Sequence, residues 1–277
     1  SSDMRSASRD ALAAVVGRFD SISGSLSVDE LSTTADDLAA VAKLLVREPI
    51  LARHLAEASG ETEAKKQLLQ RVLGGKVGAS TLDVLDTAAS VRWSSTSDFV
   101  DSVEELARLS LLVRAERENQ AEEVAEQLFR FGRLLNAEPQ LNTLLGDYSK
   151  PAEARVALLR DVLGKAGGGN ATAGALLAQT VELLRGDRAD DAVTELAQLA
   201  IARRGEVVAE VGAAAELTDA QRTRLTAVLT RIYHHPVSVQ LHVDPALLGG
   251  LSVAVADEVI DGTLSSRLSA AETKLPD

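Results

Sequence analysis

With 277 residues, 45% of them hydrophobic and 25% charged, the chain has the size and balance of two or three soluble globular domains. A net charge of −12 argues against nucleic acid or anionic lipid as the main partner, because both need a positive surface. The absence of cysteine removes disulfides, thiol nucleophiles and cysteine metal sites, and it fits a reducing compartment.

The chain opens SSDMRSASRDAL, which has no apolar signal core, and its only methionine is Met4. A fragment, a processed form or part of a longer polypeptide is therefore expected. No apolar stretch approaches the ~18 residues that span a bilayer. Aromatics are only 3%, so the core has to be built from Leu, Val and Ala, which leans helical. A first helix is expected over residues 8–19.

Residues 44–74 read LLVREPILARHLAEASGETEAKKQLLQRVLG, and residues 134–164 read LLNAEPQLNTLLGDYSKPAEARVALLRDVLG. At an offset of 90, without a gap, LL-x-x-EP-x-L falls on itself, as does LL-x-x-VLG; Lys65 meets Arg155 and Glu63 meets Glu153. Similarity returns at 105–109 (ELARL) and 195–199 (ELAQL). This is an internal duplication. Its period exceeds the roughly 34–47 residues of helical solenoid repeats, so one unit should be a small bundle of several short helices. Glu48-Pro49 and Glu138-Pro139 should each follow a helix, because Pro drives the preceding residue out of α geometry. Either the helix from Asp98 serves both copies, or the first helix packs with the second copy.

From Asp98 to Leu135 there is no Pro, and Gly132 is the only Gly. Phe99, Val103, Leu106, Leu109 and Val113 form one apolar stripe, and Ala121, Val124, Leu128, Phe131 and Leu135 another. RAERENQ (114–120) between them is polar nearly all round yet rich in helix formers. The expectation is one long helix shared by two bundles and crossing solvent; the alternative is two helices split by a turn near Asn119.

Gly205 ends the second copy. Alternation then begins at Val207, Ala209 and Val211. Thr218 and Gln221 suit a capping box for a helix carrying Leu225, Val228, Leu229 and Ile232, with Pro236 beyond its end. Val237, Val239, Leu241 and Val243 alternate with polar residues as a strand, and Gly249-Gly250 leads into a second alternating run, Leu251, Val253 and Val255. The fold class expected is mainly α: duplicated helical bundles joined by a long helix (1–113 and 114–205), followed by a small α/β domain (206–277).

Residues 243–268, VDPALLGGLSVAVADEVIDGTLSSRL, resemble the C-terminal signature of the ATP synthase delta subunit family, the bacterial counterpart of the oligomycin-sensitivity-conferring protein. The pieces that carry the likeness are Asp244-Pro245, Leu248-Gly249-Gly250-Leu251, Asp257, Ile260-Asp261-Gly262, Leu264 and Arg267-Leu268. The upstream run RRGEVVAEV and the Glu216-Leu217-Thr218-Asp219 helix start also look like that family. Direct likeness covers about residues 120–268; before that it rests on the repeat. These glycines and aspartates make architectural sense as turns, with Asp261-Gly262 suited to a turn before a final helix. The resemblance implies a non-catalytic stator subunit of a proton-translocating ATP synthase, peripheral on the cytoplasmic face of the bacterial membrane. Its partners would be the alpha-subunit N-termini of the catalytic head and the b stalk. The family has one helical bundle where this chain has most of two, as in enlarged actinobacterial relatives fused behind a b-like segment. Copy two, next to the C-terminal domain, is the better candidate for the head contact. The alternative function is an acidic helical adaptor that binds amphipathic helices in another complex.

No catalytic, cofactor-binding or metal-binding residue is assigned, and no cofactor is expected. His54, His234, His235 and His242 include no i, i+4 helical pair. Gly250-Leu251-Ser252-Val253-Ala254 lacks the last Gly of a nucleophile elbow and sits in strand context. Gly75-Lys76 and Gly164-Lys165 lack the rest of a phosphate loop. Asp36-Asp37 and Asp190-Asp191 read as solvated helix faces or helix starts, and Trp93 reads as a residue packed at a bundle end.

Overall fold

The computed structural model describes residues 4–203, 207–233, 237–247, 250–257 and 267–273. They fall into two compact units, Ser1–Ala200 and Ile201–Asp277.

The first unit is all helical: α1 (Ser6–Ser23), α2 (Val28–Arg47), α3 (Pro49–Ala56), α4 (Thr62–Leu73), α5 (Ala79–Ser90), α6 (Thr96–Arg117), α7 (Ala121–Ala137), α8 (Pro139–Leu145), α9 (Ala152–Lys165), α10 (Ala171–Leu183) and α11 (Ala189–Arg203). Local chemistry sets their ends. Ser27 Oγ accepts from Glu30 N at 3.1 Å while Glu30 Oε2 accepts from Ser27 N at 3.0 Å, a capping box that starts α2. Glu48 (φ −117°, ψ 74°) and Glu138 (φ −122°, ψ 77°) both leave helical geometry, and the following Pro opens α3 and α8 at a position that needs no N–H donor.

The duplication is visible in three dimensions. Helices α1 to α5 recur as α6 to α10: α1 and α6 start at residues 6 and 96, α3 and α8 at 49 and 139, α4 and α9 at 62 and 152. Residues 41–55 and 131–145 share the same sequence of buried, half-buried and exposed positions. Each copy also ties its ends with a buried cation. The Lys65 ammonium donates to Glu57 O, and to Ala89 O at 3.4 Å, thus reaching the C-terminal ends of α3 and α5. In the second copy Arg155 Nη1 donates to Val181 O at 2.8 Å and Leu145 O at 3.5 Å, the ends of α10 and α8. A cation at the negative ends of two helices meets unpaired carbonyls and two dipoles together, so no acid is needed beside it. A second shared device anchors the loop before the fifth helix. Asp37 Oδ2 accepts from Gly78 N at 2.9 Å, and Gln127 Oε1, its counterpart, accepts from Asn170 N at 2.7 Å.

Helix α6 is common to both sets. It packs against α1, α2 and α3, and also against α7 and α10. Its buried positions explain this in sequence terms. Phe99, Val103, Leu106 and Ser110 are the counterparts of Ala189, Val193, Leu196 and Ala200, the buried stripe of α11. Leu109 and Val113 are the counterparts of Phe19 and Ser23 on the buried stripe of α1. The helix therefore carries the inner face of a sixth helix and the inner face of a first helix at once. A helix apolar on most sides has to be enclosed on most sides, and Ser110 Oγ donating to Leu31 O at 3.0 Å fixes the first-copy face.

The helix is shared, but it does not continue to Leu135. It stops at Arg117, Asn119 takes φ 55°, and α7 begins at Ala121. Asn is among the few non-glycine residues that tolerate the left-handed region, so Asn119 supplies the turn. Nor does segment 114–120 cross solvent. Ala115 is fully buried, and the Arg117 guanidinium donates to Ser23 O, Gly24 O and Leu26 O at 2.8, 2.7 and 3.0 Å, closing the end of α1. The polar residues that suggested a bridge serve as caps.

The second unit holds β1 (Val207–Ala213), α12 (Asp219–Tyr233), β2 (Val237–Val243), β3 (Leu251–Asp257) and β4 (Arg267–Thr273). Strand order is β2-β1-β3-β4, with β1 parallel to β2 and antiparallel to β3, and β3 antiparallel to β4. The β1-α12-β2 crossover makes the parallel pair, as a parallel connection requires. Thr218 N donates to Gln221 Oε1 at 2.9 Å and Gln221 N to Thr218 Oγ1 at 3.2 Å, the capping box expected at the start of α12. Ala209, Val211, Leu225, Leu229, Val237 and Val253 form the core. The chain end departs from expectation: where a final helix was anticipated, residues 267–273 form β4. Pro236, Leu248, Gly249, Ile260, Asp261, Gly262 and Leu264 lie outside the described residues.

Candidate interaction surfaces

The positions weighed for chemistry lie in separate parts of the fold. His54 is exposed on α3, 3.9 Å from Glu57, and His242 lies in β2 opposite Gly212; His234 and His235 are outside the described residues. No group of three or more His, Asp or Glu side chains converges as a metal site among the described residues. Ser252 sits inside β3, and Lys165 ends α9 in an exposed i, i+4 pair with Asp161 at 3.3 Å. Gly75 adopts φ 75° just past α4.

Asp37 is not a solvated face residue. It holds the loop before α5 and accepts from Thr81 Oγ1 at 3.0 Å. Asp190 is nearly buried at the start of α11, where its N–H donates to Asn142 Oδ1 at 2.8 Å. Hydrogen bonds from the Arg188 guanidinium hold the Asp190 carboxyl down at about 2. Trp93 is 5% exposed, donates Nε1–H to Ala88 O at 2.7 Å and meets Phe99 edge-on at 5.9 Å. It packs the bundle end, as the sequence suggests.

Charge is concentrated along the seam between the two sets of helices. Lys43 on α2 pairs with Glu182 on α10 at 2.5 Å, and Arg185 reaches Glu104 at 2.6 Å and Asp101 at 3.2 Å on α6. Burial pushes the Glu104 carboxyl up to about 7, against the pull of Arg185 and Arg108. These partly exposed pairs link α10, and Arg185 just beyond its end, to α2 and α6.

In the first copy Leu44 and Leu45 of α2, Leu51 and Leu55 of α3, and Leu69 and Val72 of α4, with Leu85 and Phe99, line a small apolar crevice that their own packing nearly closes. Ile50 is 65% and Val46 39% exposed, on elements whose other large aliphatics are covered. Sequence pattern marked the repeat here but not the two exposed aliphatics. The signal was available in the alignment of the copies: Ile50 and Val46 fall on Gln140 and Asn136. In the second copy the exposed large apolar residues are Phe129, Leu144 and Tyr148 instead.

Among the described residues the exposed large apolar side chains are Val46 and Ile50 in the first copy, Phe129, Leu144 and Tyr148 in the second, and Val243 in the second unit. Residues 108–275 match the family model "ATP synthase delta (OSCP) subunit". Over 276 residues the chain is 55% identical to proteins named "ATP synthase subunit b-delta" from Mycobacterium sp. strains KMS and JLS. The match takes in 100% of this chain and 62% of each relative, so the chain spans less than two thirds of their length.

Proposed function

The chain belongs to the ATP synthase delta (OSCP) subunit family, and from that premise we propose that it is a non-catalytic peripheral-stalk subunit joining the catalytic head to the b stalk. The single observation that carries this is the family match over residues 108–275. In this reading residues 1–113 form a first bundle, 114–205 a second, and 206–277 the C-terminal domain, with α6 as a wall common to the two bundles. The second bundle takes the amphipathic N-terminus of an alpha subunit, and the C-terminal domain takes the distal end of the b stalk. The complex as a whole sits on the cytoplasmic face of the membrane; among the described residues no helix is long and apolar enough to cross one. Each contact can be modest, because two contacts on one chain raise the effective concentration of the second.

A stator resists torque without chemistry, so rigidity is what its fold has to supply. A shared α6, ion pairs along the seam and capped helix ends all serve that need. Division of the chain at Gly205, followed by titration of each half against an alpha N-terminal peptide and a b-stalk fragment, tests the assignment. The alpha peptide is expected on residues 1–205 and the b fragment on residues 206–277; the alpha peptide binding only to 206–277 overturns it.

A further inference from the structure

We propose that the acidic cluster where α6 meets the end of α10 takes up a proton as the seam closes, so that the two sets of helices are held together more firmly as the surroundings acidify. The proposal does not depend on the stator assignment and rests on the balance of charge at that joint.

Asp101 and Glu104 lie one turn apart on α6 and share a single guanidinium. Arg185 Nη1 donates to Glu104 Oε1 at 2.6 Å, and its Nη2 to Asp101 Oδ1 at 3.2 Å. Arg185 sits just beyond α10, in the connection to α11. Glu105 and Arg108 of α6 and Asp187 of the same connection complete the cluster, so four carboxyls face two guanidiniums. The elements around α6 do not correct this balance. On α2, Lys43 pairs with Glu182 at 2.5 Å, and Asp36 faces Asp37, Glu182 and Arg114. On α1, Ser8 Oγ donates to Asp98 Oδ2 at 2.6 Å and Arg18 pairs with Asp83 of α5. Arg53 and His54 of α3 are exposed beside Glu57, and Glu126 of α7 pairs with Arg130. Glu195 of α11 adds a further negative charge near Glu105.

The cluster belongs to the joint and not to the repeat. At the offset of 90, Glu104 falls on Thr194, Arg108 on Gln198 and Arg185 on Ser95. Excess negative charge in a partly desolvated site favours proton uptake, and the proton belongs to the cluster as a whole. Glu104 is the carboxyl where burial concentrates it, with its side chain 12% exposed against 32% for Asp101. Burial holds Glu104 at about 7, above the ordinary 4.5, although Arg185 and Arg108 pull the other way. Packing therefore binds a proton that opening releases. The stabilisation is complete below about 4.5 and is lost as pH rises through about 7.

The test follows hydrogen exchange of the whole chain by mass spectrometry from about pH 5 to about pH 8, with rates corrected for intrinsic pH dependence. Opening of residues 171–188 should rise by roughly tenfold or more across that range. Glu104→Gln, permanently neutral, should remove most of the rise. Arg185→Gln removes a cation that favours the carboxylate and should move the midpoint to higher pH; a merely structural bridge would lose protection at every pH with its midpoint unmoved. Carboxyl-carbon NMR, with Glu104 assigned through Glu104→Gln, reads the same group in the unaltered chain, and its midpoint is expected at about 7. The proposal is overturned by protection independent of pH, by a rise undiminished in Glu104→Gln, or by a midpoint unmoved or lowered in Arg185→Gln. A Glu104 carboxyl midpoint at about 4.5 overturns it too.

Discussion

Leu106→Ala and Leu109→Ala, made separately in α6, address the two faces of the shared helix. Leu106 is fully buried and is the counterpart of Leu196 in α11; Leu109 is 3% exposed and is the counterpart of Phe19 in α1. Each truncation removes a buried isobutyl group and leaves a cavity, at a cost of about 3 kcal/mol within the usual range of ~2–5. If Leu106 faces the first bundle and Leu109 the second, the lost energy appears in different places. Native-state hydrogen exchange read by mass spectrometry separates them, because local opening scales with local free energy. Leu106→Ala should accelerate exchange in residues 28–56 and 79–90 by about a hundredfold, and Leu109→Ala in 121–145 and 171–183 by a similar factor. Acceleration of one and the same set of segments by both variants would refute the two-faced assignment of α6.

Other expectations follow from the caps and ion pairs. Lys65→Met should lower stability by about 1–3 kcal/mol in urea titration, since two carbonyls lose their donor, whereas Lys65→Arg, the second copy's solution, should cost far less. Asn119→Val places a β-branched residue at φ 55° and should cost about 1–2 kcal/mol in the same titration, while Asn119→Gly should be close to neutral. Asp190 has its carboxyl lowered from 3.8 to about 2, so its contribution is present above about 4 and is lost as pH falls toward 2. Its partner Arg188 is 69% exposed, so the contribution is screened to about 1 kcal/mol, and Asp190→Asn should flatten thermal stability against pH across that window alone.

Much of this fold could be read from the residues because its signals are local or repeated. The Thr218–Gln221 cap, both Glu-Pro breaks, the strand alternation at 237–243 and the offset of 90 are each properties of short segments, and the structure contains all four. The break at Asn119 was harder, because RAERENQ is composed of helix formers. What ends the helix there is tertiary: Arg117 is committed to the carbonyls at the end of α1 and Ala115 to the core. The strand at 267–273 was missed for a similar reason. It exists through pairing with β3, a partner that segment composition does not show. The exposure of Ile50 and Val46 was not legible from their own segments, because both sit among the apolar residues of amphipathic helices. Their polar counterparts Gln140 and Asn136 in the second copy mark the positions as solvent-facing.

The most direct test of the stator account is to mix the whole chain with purified catalytic head and follow the mixture by size-exclusion chromatography with light scattering, measuring ATP hydrolysis on the same fractions. The account predicts that the chain co-elutes with the head, leaves its hydrolysis rate unchanged and shows no hydrolysis alone. Separate elution under conditions where the head is intact, or ATP hydrolysis by the isolated chain, would contradict it.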